Sequence, residues 1–161
     1  MNVLIIDDDT MVRSLLEELL RREGHRTVTS HDGPSGLAKF QTTEIDLVLV
    51  DVTIGFKMDG CDVARRIKQL TMNDHRFVPI VLLTAMSDDI RLADCLDQGG
   101  DDLIMKPFNR NLLEAKLRAW ERIIDRFEMQ RIELQQSREP QPESTAGLLS
   151  SEELAALRSR S

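Results

Sequence analysis

Short apolar runs rich in valine, isoleucine and leucine alternate along this chain with segments of helical period, and this alternation limits the fold more than any other feature. The strand candidates are Val3–Ile6, Arg26–Ser30, Asp46–Val50, Val78–Leu83 and Asp101–Met105. Such runs suit strands of a parallel sheet covered on both faces. Between the first two, Thr10–Glu23 carries Val12, Leu15, Leu16 and Leu19 at the i, i+3, i+4, i+7 spacing of one buried stripe, and Gly24 is placed to cap its C-terminus. Weaker helical segments follow at Pro34–Gln41, Asp59–Leu70 and Asp88–Gln98. Strand and helix in strict alternation over about 120 residues predict an α/β domain, a doubly wound five-stranded parallel sheet.

The length of 161 residues allows one such domain plus an appendage. A composition of 41% hydrophobic and 30% charged residues excludes a disordered acidic chain and a disulfide scaffold. The apolar runs are too short for a membrane helix, which needs ~18 residues, and Met1–Ile6 reads as a strand rather than a signal peptide. Residues 1–108 hold 12 basic and 19 acidic side chains, whereas residues 109–161 hold nine of each, so the net charge of −7 belongs to the first part. That balance argues against direct nucleic acid binding, which favours a basic face. Cys61 and Cys95 fit no zinc spacing and read as buried free thiols of a reducing compartment, so the expected location is cytoplasmic.

In open α/β sheets ligands sit beyond the carboxyl ends of the strands, and here those ends carry chemistry. The first strand runs into Asp7-Asp8-Asp9, the third ends at Asp51, the fourth at Thr84, and the fifth leads to Lys106-Pro107. Carboxylates converging on one edge repel each other unless a cation neutralises them, and hard oxygen ligands suit Mg²⁺. With the charge of Lys106 and the hydroxyl of Thr84, this edge suits a dianionic phosphoryl group and its transfer. Asp51, alone on the middle strand, is the natural nucleophile. Asp9 is better placed as a helix cap than as a ligand.

Residues 1–120 resemble the receiver domain of bacterial two-component response regulators. The resemblance rests on Asp7-Asp8 after Leu4-Ile5-Ile6, Asp51 after Leu47–Val50, Asp59-Gly60, Leu83-Thr84-Ala85 and Lys106-Pro107-Phe108, all in the family's order. It implies a flavodoxin-like fold in which Asp51 takes a phosphoryl group from a histidine kinase or phosphotransfer protein. The metal set it implies is Asp7, Asp8, Asp51 and the backbone carbonyl of Thr53. Lys106 would then pair with phosphoryl oxygens, Thr84 would bond to one of them after transfer, and the Lys106-Pro107 bond would be cis, as only an X-Pro bond cheaply can be. Such a protein is a phosphoacceptor rather than a turnover enzyme.

Three departures stand out. The loop from Asp51 to Gly60 is one residue longer than the family's common form and lacks its proline, and Lys57 lies in it. Leu103 stands where the family usually has an aromatic, and Thr53 and Met86 occupy the positions that tune water access. Two rivals follow: a pseudo-receiver scaffold, and a haloacid dehalogenase-type phosphatase, whose pattern Met11 and the late Lys106 do not fit.

After Phe108 the alternation gives way to one long helix over 109–137, started by Asn109 or by Asn111 with Glu114. Leu113, Leu117, Trp120, Ile124, Phe127 and Leu134 follow heptad steps, which predicts a coiled coil with a second copy and hence a homodimer. At ~1.5 Å per residue it would be roughly 40 Å long, so it would extend past a compact domain. Residues 138–147 read as a linker, and Ser150 with Glu153 as the capping box of a short tail helix. The five methionines at positions 11, 58, 72, 86 and 105 read as packing residues.

Overall fold

The computed structural model describes residues 1–55, 57–85, 87–138 and 150–159. In chain order the elements are β1 Asn2–Ile6, α1 Thr10–Arg22, β2 Arg26–Ser30, α2 Gly33–Thr42, β3 Leu47–Asp51, α3 Gly60–Asn73, β4 Ile80–Thr84, α4 Asp89–Gln98, β5 Asp102–Met105, α5 Arg110–Gln136 and α6 Ser151–Arg158. Residues 1–127 make one unit and residues 128–161 another. All four strand pairs are parallel, in the order β2-β1-β3-β4-β5. The chain therefore leaves β1 for one side of the sheet and later returns to its other side, and the reversal falls between β1 and β3, where such sheets open a crevice.

Consecutive strand residues point to opposite faces, so each strand feeds two cores. Leu4, Ile6, Val48, Val50, Ile80 and Leu82 pack with Phe40 of α2, Val63 and Ile67 of α3 and Leu92 of α4. Val3, Ile5, Leu47, Leu49, Val81 and Leu83 pack on the other side with Leu16 and Leu20 of α1 and Leu113 and Leu117 of α5. Covering on both faces, inferred from the apolar runs, is what the structure has.

Aspartates open four of the helices. Asp9 accepts from the amides of Met11 and Val12, Asp32 from Ser35, Asp59 from Asp62 in a reciprocal capping box, and Asp88 from Arg91. A carboxylate there satisfies orphan amides and complements the helix dipole. Gly24, at φ 82°, ends α1 as expected, with its amide donating to the Arg21 carbonyl. Asn109 caps α5 through Leu112, which decides between the two candidates, and Ser150 with Glu153 forms the expected capping box of α6. Several strand boundaries differ from expectation by one or two residues. β3 starts one residue later, because Asp46 turns its carboxylate to the Asn2 amide, and β4 starts only at Ile80, because Pro79 has no amide to donate.

Two expectations need correction. Cys61 and Cys95 are not free thiols: they form a disulfide with Cα atoms 5.0 Å apart, because successive crossovers on one sheet face bring α3 and α4 side by side. Cysteine usage consequently says nothing here for a reducing compartment. Met11, Met72 and Met105 are exposed rather than packed, and Met58 alone of the described four lies against the core, while Met86 falls outside the described residues. Of the heptad row of α5, Leu113, Leu117 and Ile124 are buried in the second core, Trp120 packs on it, Phe127 stacks on Phe77 at 4.8 Å, and Leu134 is exposed. Heptad and globular stripes share their first repeats, so spacing alone could not separate them. The expected linker after Ser137 lies almost wholly outside the described residues.

His25, between α1 and β2, is buried, with Nδ1 3.3 Å from the Met1 amine and 3.9 Å from a Glu121 carboxylate oxygen. Burial first, and the N-terminal ammonium second, lower its pKa from 6.5 against the pull of Glu121 and Glu23. The neutral ring thus contributes stability that is full above the unfolded value and is lost as pH falls below it toward the lowered folded value. The expected outcome is a urea midpoint that drops between about pH 7 and pH 5. In His25→Gln that acid-side slope becomes shallower; an unchanged slope would show that His25 is not its source.

Candidate functional site

The register of the sheet builds the site. Ile6 of β1 pairs with Val50 of β3, so Asp7 and Asp51, each one residue further on, leave adjacent strands at the same level of the crevice. Leu83 pairs with Asp51 and Thr84 with Met105, which brings Thr84 and Lys106 to the same edge. The Lys106 amide donates to the Thr84 carbonyl at 2.7 Å, and the Lys106-Pro107 bond is cis as expected.

Lys106 reaches across this edge. Its Nζ donates to Asp7 Oδ2 at 2.6 Å and to Asp51 Oδ2 at 3.0 Å. Both carboxylates are almost wholly buried, whereas Asp8 faces solvent. Each buried carboxylate also accepts the amide two residues on: Asp7 Oδ1 from Asp9 at 2.9 Å, and Asp51 Oδ1 from Thr53 at 2.9 Å. These are Asx turns, in which a short carboxylate replaces a backbone acceptor. The Thr53 hydroxyl adds a second bond to Asp51 Oδ1 at 3.0 Å. Oδ1 of Asp51 is thereby held by two donors, and Oδ2 by the Lys106 ammonium.

The charges show what this edge lacks. Burial raises the pKa of Asp7, only partly offset by its bonds to Lys106 and Asp9, and the nearby Asp51 charge raises it further. Burial likewise opposes the charge on Lys106, but its bonds to Asp7 and Asp51 together outweigh this and raise its pKa. One ammonium cannot balance three carboxylates. Ligand oxygens of Asp7, Asp8 and Asp51 all lie within 4.8 Å of one another, the one cluster among the described residues that could hold a metal ion. An all-oxygen, anionic donor set with partial burial fits a hard divalent cation.

Sequence reasoning named Asp7, Asp8, Asp51, Thr84 and Lys106, and the structure brings these five to one edge. It gave Thr53 a role through its carbonyl and a position that tunes water access; the hydroxyl bond to Asp51 was missed, although Asp-x-Thr is a recognisable Asx-turn spacing. Arg13 was missed altogether. It donates to the Asp7 carbonyl at 2.6 Å from the first turn of α1, a pairing no short-range spacing announces. Lys57 is exposed, and Leu103 is partly buried against the first core.

Residues 3–118 match the response regulator receiver domain. The chain belongs to that family. This receiver is 38% identical over 118 residues to the transcriptional regulatory protein AfsQ1 of Streptomyces coelicolor, across 73% of this chain and 50% of that protein. It is 36% identical over 117 residues to the transcriptional regulatory protein CpxR of Escherichia coli, across 73% and 47%. The chain thus spans about half the length of the curated relatives it matches. Among solved structures, a two-component response regulator from Clostridium difficile superposes with a TM-score of 0.70 at 27% identity, covering 76% of this chain and 96% of that one. The chemotaxis protein CheY4 of Vibrio cholerae gives 0.67 at 26% identity, covering 73% and 96%. Neither the phosphatase nor the scaffold reading is favoured by these matches.

The buried Asp7 charge sets up a test. With its folded pKa raised, the ionised carboxylate destabilises the receiver at neutral pH, and that loss disappears as pH falls through the raised value. Asp7→Asn should therefore raise stability at neutral pH, by about 1 kcal/mol. Urea unfolding checks this, and a lower midpoint in the variant would refute it.

Proposed function

We propose that this receiver takes a phosphoryl group onto Asp51 and that the resulting acyl phosphate changes the surface it offers to a partner or a downstream domain. The observation that carries the reading is the convergence of Asp7, Asp8 and Lys106 on a buried Asp51 at the β1/β3 crevice. Asp51 Oδ2 is the attacking oxygen, because Oδ1 is engaged by two Thr53 donors. Its attack on the phosphorus of a phosphohistidine forms the O–P bond as the N–P bond breaks, and the imidazole leaves with the electron pair and takes up a proton. Lys106 Nζ, already 3.0 Å from Oδ2, moves onto the transferred oxygens, where charge accumulates. Thr84, fully buried at the end of β4, supplies a hydroxyl to the same group.

Asp7, Asp8, Asp51 and the Thr53 carbonyl are the residues to hold Mg²⁺, which when bound supplies charge neutralisation to the phosphoryl oxygens. The donor is a histidine kinase or phosphotransfer protein in the cytoplasm. Met11 (81% exposed) and Leu15 (49%), on the turns of α1 that follow the acidic edge, support docking of a protein donor there. The acidic excess of residues 1–108 supports action on protein surfaces rather than on nucleic acid. The protein assists its own phosphorylation and is not a turnover enzyme.

With acetyl phosphate and Mg²⁺, the chain should gain one phosphoryl group, detected by intact mass. Asp51→Asn should reduce uptake by at least ~100-fold, and chelation with EDTA by a similar factor. Uptake by Asp51→Asn at the wild-type rate would remove Asp51 from this role.

We further propose that α5 pairs with a second copy through Met129 and Ile132, exposed apolar side chains one turn apart on one face of the helix. Sedimentation should show a dimer that Met129→Glu with Ile132→Glu reduces to a monomer while phosphoryl uptake persists. A wild-type monomer at ~100 μM, with and without beryllofluoride, would overturn the pairing.

A further inference from the structure

The most unexpected feature outside the acidic edge is the covalent tie between α3 and α4. Cys61 is the second residue of α3, and Cys95 lies in the middle of α4; both are buried in the first core. Its position relative to Asp51 gives it consequence. Gly60, immediately before Cys61, packs so closely on the phosphoacceptor strand that a Cβ there would collide with the Asp51 carbonyl oxygen, and its amide donates to the Val52 carbonyl at 3.0 Å. The start of α3 is thus part of the backbone that carries Asp51. On the other side, α4 is the element that follows Thr84 in the chain.

Among the described residues, two side-chain hydrogen bonds join these helices beside the disulfide. Arg91, one turn before Cys95, donates to Asp59 Oδ2 at 2.8 Å, and Arg65 donates to Gln98 Oε1 at 3.4 Å. The two polar ties are exposed and can exchange with water, so alone they let α4 shift at little cost. A disulfide does not exchange in that way, and it fixes the Cα separation within a narrow range. Disulfides of cytoplasmic proteins are seldom permanent, since glutathione keeps thiols reduced, and those that form are mostly transient or sensing.

We propose that Cys61 and Cys95 are a redox latch: as a disulfide they hold α4 against α3 and block the α4 response to phosphorylation, and as dithiols they release it. This inference rests on the receiver reading given above. Closure uses a low-molecular-weight disulfide such as glutathione disulfide. The Cys61 thiolate attacks one sulfur of that oxidant, breaking its S–S bond and releasing one glutathione thiolate, and the Cys95 thiolate then attacks Cys61 Sγ of the mixed disulfide and releases the second. Two electrons pass to the oxidant, and the two protons lost by the protein are taken up by the two glutathiones. Cys61, the more accessible of the pair, is where exchange begins.

The test uses the full chain, equilibrated either with glutathione disulfide or with dithiothreitol, with intact mass and thiol alkylation reporting the latch. Each form is then treated with acetyl phosphate and Mg²⁺, and hydrogen exchange is followed in residues 89–98. The dithiol form should show a change in exchange on phosphorylation that is roughly tenfold smaller in the disulfide form. Cys61→Ala with Cys95→Ala should respond as the dithiol does in both buffers, and the wild-type comparison stands by itself should that variant fold poorly. Equal responses in the two wild-type forms, with both taking up the phosphoryl group, would overturn the latch and leave the receiver reading intact. Thiols fully alkylated after glutathione disulfide would also overturn it. Absence of phosphoryl uptake in both forms would overturn the receiver reading, and the latch with it.

Discussion

One ammonium between two buried carboxylates governs the rest of the structure. Lys106 comes from the end of β5 and bonds to Asp7 after β1 and to Asp51 on β3, so it links three strand ends of a sheet in which β5 and β3 are not neighbours. Buried like charges are tolerated only where a counter-charge and directed donors meet them. The Asx turns at Asp7 and Asp51 provide the donors, and Lys106 provides the charge. What is left over is a net negative edge, with Asp7 still raised by burial. Fold stability alone does not call for that arrangement. A place kept short of positive charge, with an all-oxygen donor set, suits a cation.

The same aspartate chemistry recurs around the domain with a different outcome. Asp9, Asp32, Asp59 and Asp88 cap α1 to α4, so a considerable part of the acidic excess of residues 1–108 is structural. Asp59 also joins two elements, because one carboxylate oxygen caps α3 and the other accepts from Arg91 of α4. Glycine 60 beside it has no room for a side chain against the Asp51 backbone. Asp51, the start of α3 and the neighbouring helix are thereby linked in one chain of contacts. Such continuity is what a local change of charge needs to reach a surface, provided the surface has two arrangements available.

Much of this was legible in the sequence, for identifiable reasons. Strand and helix periods differ, so the apolar runs and the Val12, Leu15, Leu16, Leu19 stripe marked the elements, and the alternation marked their order. Asp7, Asp8, Asp51, Thr84 and Lys106 could be placed at strand ends by counting from those runs. The features missed depend on distance in space rather than in sequence. Arg13 binds a carbonyl six residues back through a turn whose shape counting does not give. Cys61 and Cys95 are separated by 34 residues and meet only because two crossovers lie on one face. The row from Leu113 to Phe127 has the spacing of a coiled coil and the burial of a core helix, and only the presence of Phe77 and the second core decides between them.

Sequence by itself determined the class of fold, the strand ends that carry the chemistry, and the charge of the edge they form, because each follows from local periodicity and residue type. Tertiary structure alone decided that Lys106 bridges Asp7 and Asp51, and that two cysteines close a bond between α3 and α4. These are long-range contacts, set by parallel register and by the sheet face onto which each crossover returns, and neither is written in any short stretch of chain.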